Sequence, residues 1–299
     1  DTVTETYTVT VTDSNGDTDT QDVVITITGT NDIPELTVTN SGSVTEDSID
    51  LQPDRLVATG DITTFDVDNN DVLTLSASYN SDINWLNGAM AVLTAQQISD
   101  IIDGFSLDND DMGWTYNIDN DLVNFLAEGD TITFSFDVTV TDANGAFTTQ
   151  TVTMTINGTN DAPVITPSPD DEAGEVIEAG VQPGGNTAEP GVMMVQGDLD
   201  ATDPDSGDTQ TWSFAPQASV YGTFSIDPAT GEWTYTLNDS TDNNSPVNQL
   251  ALGDTVTETY TVTVTDSNGD TDTQDVVITI TGTNDIPELT VTNSGSVTE

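Results

Sequence analysis

Oxygen-bearing side chains that could bind a metal ion recur at fixed places along this chain. A Thr-Asn-Asp segment follows an alternating Val/Ile/Thr stretch three times, and a proline stands two residues after each copy. The motifs are the linkers Asn31-Asp32, Asn160-Asp161 and Asn284-Asp285, the pairs Asp66-Val-Asp68 and Asp203-Pro-Asp205, and the turn residues Asp142, Asn144, Asp266 and Asn268. Close carboxylates raise one another's pKa or recruit cations, and calcium takes roughly six to eight oxygen ligands. The motifs therefore predict calcium sites.

The charge balance strengthens this prediction and excludes other functions. The 299-residue chain has 53 Asp and Glu residues against one cationic residue, Arg55, and its net charge is −52. The absence of Lys, His and Cys excludes Ser-His and Cys-His nucleophiles, zinc sites built on Cys or His, and a P-loop. Nucleic acid and anionic membranes would be repelled. A glycosidase could use paired carboxylates, but these acids cluster in turns near linkers, so we expect no enzyme.

Two levels of internal repetition organise the chain. Residues 1–46 are identical to residues 254–299, an offset of 253 residues. Within this unit, residues 253–285 align with residues 129–161, so each unit contains two related halves. Identity over a stretch of this length implies recent duplication, which predicts many such units in tandem in a longer parent protein.

The repeats predict four segments. Residues 1–35 are the C-terminal half of an upstream repeat, 36–162 are a full repeat, 163–287 are a second full repeat, and 288–299 are the first strand of a downstream repeat. The beginning of the sequence does not have the pattern of a signal peptide. Nothing in the sequence approaches the roughly 18 consecutive apolar residues of a membrane span.

Strand patterning predicts that each full repeat is a β-sandwich. In residues 255–265 Val and Tyr alternate with Thr, which is the period of a half-buried strand. Residues 266–270 read Asp-Ser-Asn-Gly-Asp, a turn, and the alternation then resumes. About seven short strands in roughly 125 residues are typical of a sandwich. Thr94 and Gln97 form a capping-box pattern ahead of Ile98, which predicts one short helix inserted in the first full repeat.

Four segments resemble the VCBS-type and cadherin-like tandem repeats of giant bacterial surface adhesins of the RTX type, which are type I secreted. They are ATDPDSGDTQTWSF at 201–214, YGTFSIDPATGEWTYTL at 221–237, TYTVTVTDSNGD at 259–270 and ITGTNDIP at 280–287. The resemblance implies an all-β fold of tandem Ig-like or cadherin-like β-sandwich domains in a linear array. In the cadherin pattern an Asn-Asp linker and Asp loops bind calcium between domains, so Ca²⁺ is the implied ion.

Three junctions between repeats are the predicted calcium sites. In a sandwich of this strand order, the turn between the last two strands lies beside the preceding linker, and the cadherin likeness implies that the Asp-x-Asp loop is at the same end. The predicted ligands at the first junction are Asn31, Asp32, Asp66, Asp68, Asp142 and Asn144. Those at the central junction are Asn160, Asp161, Asp203, Asp205, Asp208, Asp266 and Asn268, with Glu46 and Asp130 from the preceding repeat. Those at the third junction are Glu178, Asp254, Asn284 and Asp285.

We expect a structural extender, a spacer that holds a distal adhesive domain away from a bacterial cell surface. Near-identical repeats suit a spacer, and calcium would remove the repulsion between carboxylates at each junction. The expected partners are calcium ions and neighbouring identical repeats, without nucleic acid or direct membrane contact. A surface or glycan ligand would be bound by other domains of the parent protein.

Other interpretations of the same residues stay open at this point. The acidic residues could form Asx turns and remain solvated, which we favour for residues 108–111. The Thr ladder of TVTETYTVTVT could make this an ice- or carbohydrate-binding module, although Thr is also a common solvent-facing strand residue. Trp85, Trp114, Trp212 and Trp233 could stack on sugars, but Trp114 and Trp233 recur at matched places and are expected in the core.

Overall fold

Two compact units make up the part of the chain that the computed structural model describes. That part comprises residues 2–48, 54–68, 71–86, 92–108, 112–166, 168, 171–238, 244–287, 289, 291 and 295. Described residues within 2–86, 92–123 and 129–157 form the first unit, and the second consists mainly of 158–287. Regular structure is mostly strand, which confirms the all-β prediction. Most of 288–299, and residues 109–111 of the segment for which Asx turns are predicted, lie outside the described residues.

The first unit contains a hairpin and a β-sandwich. The hairpin pairs β1 (Thr2–Thr12) with β2 (Thr18–Thr28). The sandwich consists of β3 (Glu35–Val38), β4 (Ser41–Thr45), β5 (Arg55–Phe65), β6 (Thr74–Tyr79), β7 (Asn84–Leu86), α1 (Ala95–Ile102), β8 (Phe105–Asp108), β9 (Gly113–Asp119), a 3-10 turn (Asn120–Leu122), β10 (Thr131–Thr141) and β11 (Phe147–Asn157). One sheet has the order β4–β11–β10–β6, with β7 also paired to β10, and the other has the order β3–β5–β9–β8.

The second unit repeats this plan with shorter edge strands. Its elements are β12 (Val164–Thr166), β13 (Ala173–Ile177), β14 (Gly180–Val181), β15 (Ala188–Glu189), β16 (Met194–Asp198), β17 (Asp200–Thr202), β18 (Thr211–Phe214), β19 (Gly222–Ile226), β20 (Glu232–Leu237), a 3-10 turn (Val247–Gln249), β21 (Thr255–Thr265) and β22 (Thr271–Thr281). The main sheets have the orders β13–β22–β21–β18 and β16–β20–β19, and β12 pairs with β17 and β14 with β15.

The last two strands of each unit form a hairpin whose inner face makes up much of the core. In the second unit Tyr260, Val262 and Val264 of β21 are buried, as are Val276 and Ile278 of β22. The alternation predicted for residues 255–265 is therefore confirmed. In both units an early strand joins the last strand in parallel, β4 with β11 and β13 with β22. This pairing brings the chain that follows the linker back beside the end of the repeat.

Each core contains a tryptophan packed on a glycine of the neighbouring strand. Trp114 stands opposite Gly60, and Trp233 stands opposite Gly197. Both indole rings are buried, and each indole N–H donates to a backbone carbonyl, at 2.9 and 2.8 Å. The expectation that Trp114 and Trp233 lie in the core is confirmed. Glycine is required opposite the ring because a side chain there would occupy its space.

We expect Gly197→Ala to lower the free energy of unfolding of the second unit by about 1–3 kcal/mol, because the core would be overpacked. A Cβ at residue 197 would lie 2.6 Å from the Trp233 ring. Gly185→Ala is the matched control, since a Cβ at that position would meet no atom within 4 Å. Denaturant unfolding followed by tryptophan fluorescence measures both variants. Equal stability of the two variants would contradict this account of the packing.

Helix α1 is where the capping-box pattern predicts it. The Thr94 hydroxyl accepts the Gln97 N–H at 3.2 Å, and the Gln97 side chain accepts the Thr94 N–H at 2.9 Å. Ile101 is fully buried on the inner face of the helix. This short insertion thus belongs to the core of the first unit. Among the helices of the described residues, none combines the length and apolar character needed to cross a membrane.

Candidate metal centres

One carboxylate oxygen of an aspartate shapes the turn between the last two strands of each unit. Asp142 Oδ1 accepts the N–H groups of Asn144 and Ala146, at 2.9 and 2.8 Å. Asp266 Oδ1 accepts the N–H groups of residues 268–270 at distances between 2.6 and 2.9 Å. These are Asx turns. They engage Oδ1 and leave Oδ2 of the same carboxylate for other partners.

The second oxygen of each turn aspartate binds the linker asparagine. Asn31 Nδ2 donates to Asp142 Oδ2 at 2.8 Å. Asn160 Nδ2 donates to Asp266 Oδ2 at 2.9 Å and to Asp270 Oδ2 at 2.8 Å. The predicted meeting of linker and turn is therefore present within each unit. In the sequence, each linker asparagine and its turn aspartate are more than a hundred residues apart.

In the second unit the Asp-x-Asp loop joins the same network. The Asp161 N–H donates to Asp205 Oδ2 at 3.0 Å, and the Asp205 N–H donates to Asp203 Oδ1 at 3.0 Å. One carboxylate oxygen from each of Asp203, Asp205 and Asp208 lies within 4.8 Å of the others. Asp205 is only 4% exposed. The structure thus gathers the predicted ligands of this linker, loop and turn at one end of the unit.

The first unit has the same arrangement, with Asp71 five residues after Asp66 as Asp208 is five residues after Asp203. The Asp32 N–H donates to Asp68 Oδ2 at 2.8 Å, and the Asp68 N–H donates to Asp66 Oδ1 at 2.8 Å. Carboxylate oxygens of Asp66, Asp71 and Asp142 lie within 4.8 Å of one another. Asn144 also donates to the Asn31 side chain. The predicted ligands of the first junction are therefore brought together, and Asp71 joins them.

Burial and hydrogen bonds shift the pKa values of the acids of the second unit in opposite directions. Burial raises the pKa of Asp205 to about 6, against the lowering effect of the Asp161 N–H and with added repulsion from Asp203. Burial likewise raises the pKa of Asp203. For Asp266 burial also acts upward, but hydrogen bonds from Asn160 and from the turn outweigh it and lower the pKa. Without a cation, the two loop aspartates therefore keep their protons to a higher pH than free aspartates do.

In the first unit the side-chain amide of the linker residue Asn31 is the main cause of the pKa shift of the turn aspartate, Asp142. The hydrogen bond from Asn31 lowers the pKa of Asp142, and the N–H groups of the turn lower it further against the effect of burial. The turn aspartates of both units are thus held in the charged form, which is the form that binds cations.

Two predicted ligands of the central junction, Glu46 and Asp130, lie at the opposite end of the first unit from Asp142. Asp130 precedes β10 and Asp142 follows it, so the strand separates them. Asp130 Oδ2 accepts the Trp85 indole N–H at 2.9 Å. Glu46 is fully buried, and its backbone N–H donates to the Asn157 carbonyl at 3.0 Å. Both acids therefore flank the end from which β11 leaves towards the linker.

The ligands predicted for the third junction lie at the corresponding end of the second unit. Glu178 is fully buried and accepts the Thr283 N–H at 2.9 Å, which holds the start of the exit segment. Asp254 is exposed, and its carboxylate accepts the Ala251 N–H at 3.1 Å. The Asn284 carbonyl accepts a backbone N–H of the same unit at 2.7 Å, and Asp285 is exposed. The Asp254 carbonyl also accepts the Gly282 N–H at 2.9 Å, so Glu178 and Asp254 both hold the segment that leads into the linker.

Sequence reasoning left Asp71 and Asp270 out of the predicted ligand set. Asp71 stands five residues after Asp66 in the same loop, and Asp270 closes the turn that Asp266 opens. The available signal for Asp71 was its spacing from Asp66, which equals that of the predicted ligand Asp208 from Asp203, and the signal for Asp270 was its place in the predicted turn. Both belong to the networks in which the structure places the predicted ligands.

Burial of the aromatic side chains bears on the sugar-binding interpretation. Trp114, Trp212 and Trp233 are all buried, and Trp85 donates its indole N–H to Asp130. A ring that stacks on a sugar must present its face to solvent. Trp114, Trp212 and Trp233 therefore serve the cores of their units, and Trp85 is half-buried.

Residues 160–282 match the family model of the bacterial cadherin-like domain. The matched segment includes the linker, the Asp-x-Asp loop and the turn of the second unit. A cadherin-like repeat is therefore present in the chain, and the predicted cadherin-like β-sandwich fold is confirmed. No curated protein matches the chain.

Solved structures similar to the chain include protocadherins and a mouse cadherin. The protocadherin gammaB4 extracellular domain has 15% identity and a TM-score of 0.40, over 93% of this chain and 37% of that one. Protocadherin gamma B2 cadherin domains 1–5 have 15% identity and a TM-score of 0.44, over 95% and 46%. Mouse cadherin-23 EC22-24 has 15% identity and a TM-score of 0.40, over 85% and 67%. The chain thus spans between 37% and 67% of these proteins' lengths.

Proposed function

We propose that the acidic networks bind calcium and that the chain is part of an extracellular extender in a large bacterial surface adhesin of the VCBS and RTX kind. One observation carries the proposal: both units build the same network although their sequences differ. In each, the linker asparagine donates to the turn aspartate, and the next N–H donates to the second aspartate of the Asp-x-Asp loop. Solvated Asx turns alone would not need this connection to the linker.

The oxygen atoms of the networks fit a hard divalent cation. Several buried oxygens find no hydrogen-bond donor among the described residues: Oδ2 of Asp66, Asp71 and Asp203, and Oδ1 of Asn160 and Asp205. A buried acceptor without a partner costs about 1–3 kcal/mol. A bound cation satisfies several such oxygens together. Because carboxylate and amide oxygens form the whole set, calcium suits it.

Named residues would hold calcium at each network. In the first unit these are Asp66, Asp71 and Asp142, with the linker residues Asn31 and Asp32. In the second unit they are Asp203, Asp205, Asp208 and Asp266, with Asn160 and Asp161. Asp68, Asn144 and Asn268 support them. At the exit ends, Glu46, Asp130, Glu178, Asp254, Asn284 and Asp285 would supply further ligands where one repeat follows another.

The proposed role of calcium is to stiffen the chain. Carboxylates gathered beside a linker repel one another, so an unliganded junction would behave as a flexible, self-repelling hinge. A cation offsets this repulsion and ties the linker to the loop and turn of the repeat that follows. A spacer made of such repeats would keep its length and hold an adhesive domain away from the cell.

We expect Asp71→Asn to weaken calcium binding at the first unit by about tenfold, because it removes one negative charge from the ligand set. Calorimetric titration of the full chain with calcium measures the affinity. Asp61→Asn is the matched control, because it removes the same charge from an exposed position on β5. Identical titration curves for the two variants would remove Asp71 from the site. Absence of calcium-dependent heat in the parent chain would contradict the proposed function itself.

A further inference from the structure

The turn between the last two strands has the same backbone arrangement in both units but different side chains. It reads Asp-Ala-Asn-Gly-Ala at residues 142–146 and Asp-Ser-Asn-Gly-Asp at residues 266–270. In each unit the N–H of the first turn residue donates to the carbonyl of the last at 3.0 Å, and the glycine has a positive φ, 93° and 105° respectively. The turns therefore differ only at the second and last positions, where the first unit has two alanines and the second has a serine and an aspartate.

The turn serine, Ser267, orients an aspartate that follows the Asp-x-Asp pair. Its hydroxyl donates to Oδ1 of Asp208, and the same oxygen accepts the Thr209 N–H at 2.7 Å. In the first unit the corresponding Asp71 Oδ1 accepts the Val72 N–H at 3.1 Å, and the alanine of that turn has no hydroxyl to donate. A side chain that is already held in place loses less conformational entropy when it binds an ion. Asp208 is therefore better prepared than Asp71 to act as a ligand.

The turn aspartate Asp270 adds a carboxylate beside the linker asparagine. Asn160 Nδ2 donates to Asp270 Oδ2 at 2.8 Å as well as to the first aspartate of the turn. Asn160 Oδ1 is buried and finds no donor among the described residues. In the first unit Asn31 Nδ2 has one turn carboxylate as partner, Asp142, and Asn31 Oδ1 accepts the side-chain amide of Asn144. The amide oxygen of the linker is thus open to a cation in the second unit and occupied in the first.

A buried oxygen in the acidic network of the second unit needs a partner that the described residues do not supply. Asp205 is only 4% exposed, and its Oδ1 has no hydrogen-bond donor among the described residues. One carboxylate oxygen of Asp205 lies within 4.8 Å of one from Asp203 and one from Asp208. A buried charged acceptor is costly unless a donor or a cation compensates it. This oxygen is independent of the turn, and it indicates a cation in the network to which the turn side chains contribute.

We propose that Ser267 and Asp270 determine the calcium affinity of the second unit's network. Asp270 adds a negative charge and holds the linker amide so that its oxygen stays open, and Ser267 fixes Asp208. The affinity of a calcium site built from oxygen ligands depends on the number of charged ligands and on the rigidity of the site. The composition of this turn therefore sets the calcium concentration at which each kind of repeat is loaded. The inference rests on the calcium binding proposed above.

The test exchanges the side chains of the two turns within the full chain. Ala143→Ser/Ala146→Asp gives the first turn the side chains of the second, and Ser267→Ala/Asp270→Ala makes the reverse change. Both turns have the same backbone hydrogen bond between their first and last residues. Each exchanged turn therefore has the side chains of a turn that already forms in this chain, and both variants are expected to fold.

Hydrogen exchange at increasing calcium concentration reports on each network separately. The amides of Asp68 and Asp205 are the probes, because each donates to an aspartate of its own network, at 2.8 and 3.0 Å. We expect the calcium concentration of half-maximal protection to fall about tenfold at Asp68 in the first double variant and to rise about tenfold at Asp205 in the second. The unaltered network of each variant should respond as it does in the parent chain.

Matched controls make the same changes of charge at exposed strand positions. Thr153→Asp adds one negative charge on β11, and Asp275→Ala removes one from β22. Both should leave the two calcium midpoints unchanged. The inference is overturned if the turn variants shift neither midpoint, or if the controls shift them equally, while the parent chain still responds to calcium. Absence of any calcium-dependent protection in the parent would instead overturn the proposed function, and this inference with it.

Discussion

A calcium chelator is expected to lower the free energy of unfolding of the chain by about 2.7 kcal/mol for each site previously held at a hundredfold excess over its Kd. Removing the ion leaves buried acceptors unsatisfied and restores carboxylate repulsion in both networks. Extracellular calcium modules have Kd values of roughly 10⁻⁴ to 10⁻³ M, so calcium well above that range should saturate the sites. Differential scanning calorimetry in calcium and in chelator measures the difference, and superimposable melting curves would contradict it.

Magnesium is the control for this prediction. It is smaller than calcium, demands near-octahedral geometry and releases its water reluctantly. We therefore expect little protection from magnesium at matched ionic strength. Equal protection by the two ions would show that the effect is screening of a chain with a net charge of −52, which any divalent salt would provide.

The second large effect concerns Asp205, where the same substitution is expected to stabilise the second unit in chelator and to destabilise it in calcium. In chelator at pH 7, Asp205→Asn is expected to raise the free energy of unfolding of the second unit by about 1–3 kcal/mol, because a buried, repelled carboxylate becomes a neutral amide. The amide oxygen can still accept the Asp161 N–H, which Asp205 accepts in the parent at 3.0 Å. In calcium the same variant should be less stable than the parent, because a charged ligand is lost.

The pH dependence in chelator follows from the raised pKa. Because the pKa of Asp205 is about 6 in the folded chain and near 4 in an unfolded one, the folded state binds its proton more tightly. The stabilisation is complete below about pH 4 and is lost as the pH rises through about 6. Asp205→Asn should reduce this dependence to the part that the raised pKa of Asp203 contributes, and Asp198→Asn, at an exposed strand position, should keep it in full. The same pH profile for all three proteins would contradict the assignment.

Local patterns predicted the parts of this fold that depend on neighbouring residues. The Thr94–Gln97 capping box needs groups three residues apart, and the Asp266 turn needs groups two to four residues apart. The period-two alternation of β21 similarly reports which side chains enter the core. Burial of Trp114 and Trp233 followed from their matched positions in two repeats. In each case the deciding interaction lies within one element or recurs in the sequence.

Partners brought together by the tertiary fold were beyond such patterns. Asp130 was predicted as a ligand, and its carboxylate accepts the indole N–H of Trp85 from β7. Asp254 was predicted likewise, and its carboxylate closes a turn with Ala251. Asp71 lies in an irregular loop, where no period indicates which way a side chain points. A carboxylate has two oxygens. A local sequence pattern can predict the partner of one oxygen, while the partner of the other comes from a distant part of the chain.

The central claim is that calcium stiffens the junctions between repeats. Small-angle X-ray scattering of the chain in calcium and in chelator tests this claim most directly. The parent chain is expected to have a longer mean length in calcium than in chelator. Asp161→Ala and Asp203→Ala, measured in calcium, should each shorten the mean length while the circular dichroism of folded sandwiches is retained. If the parent scatters identically in both conditions and both variants stay as extended as the parent, the calcium-stiffened extender is contradicted.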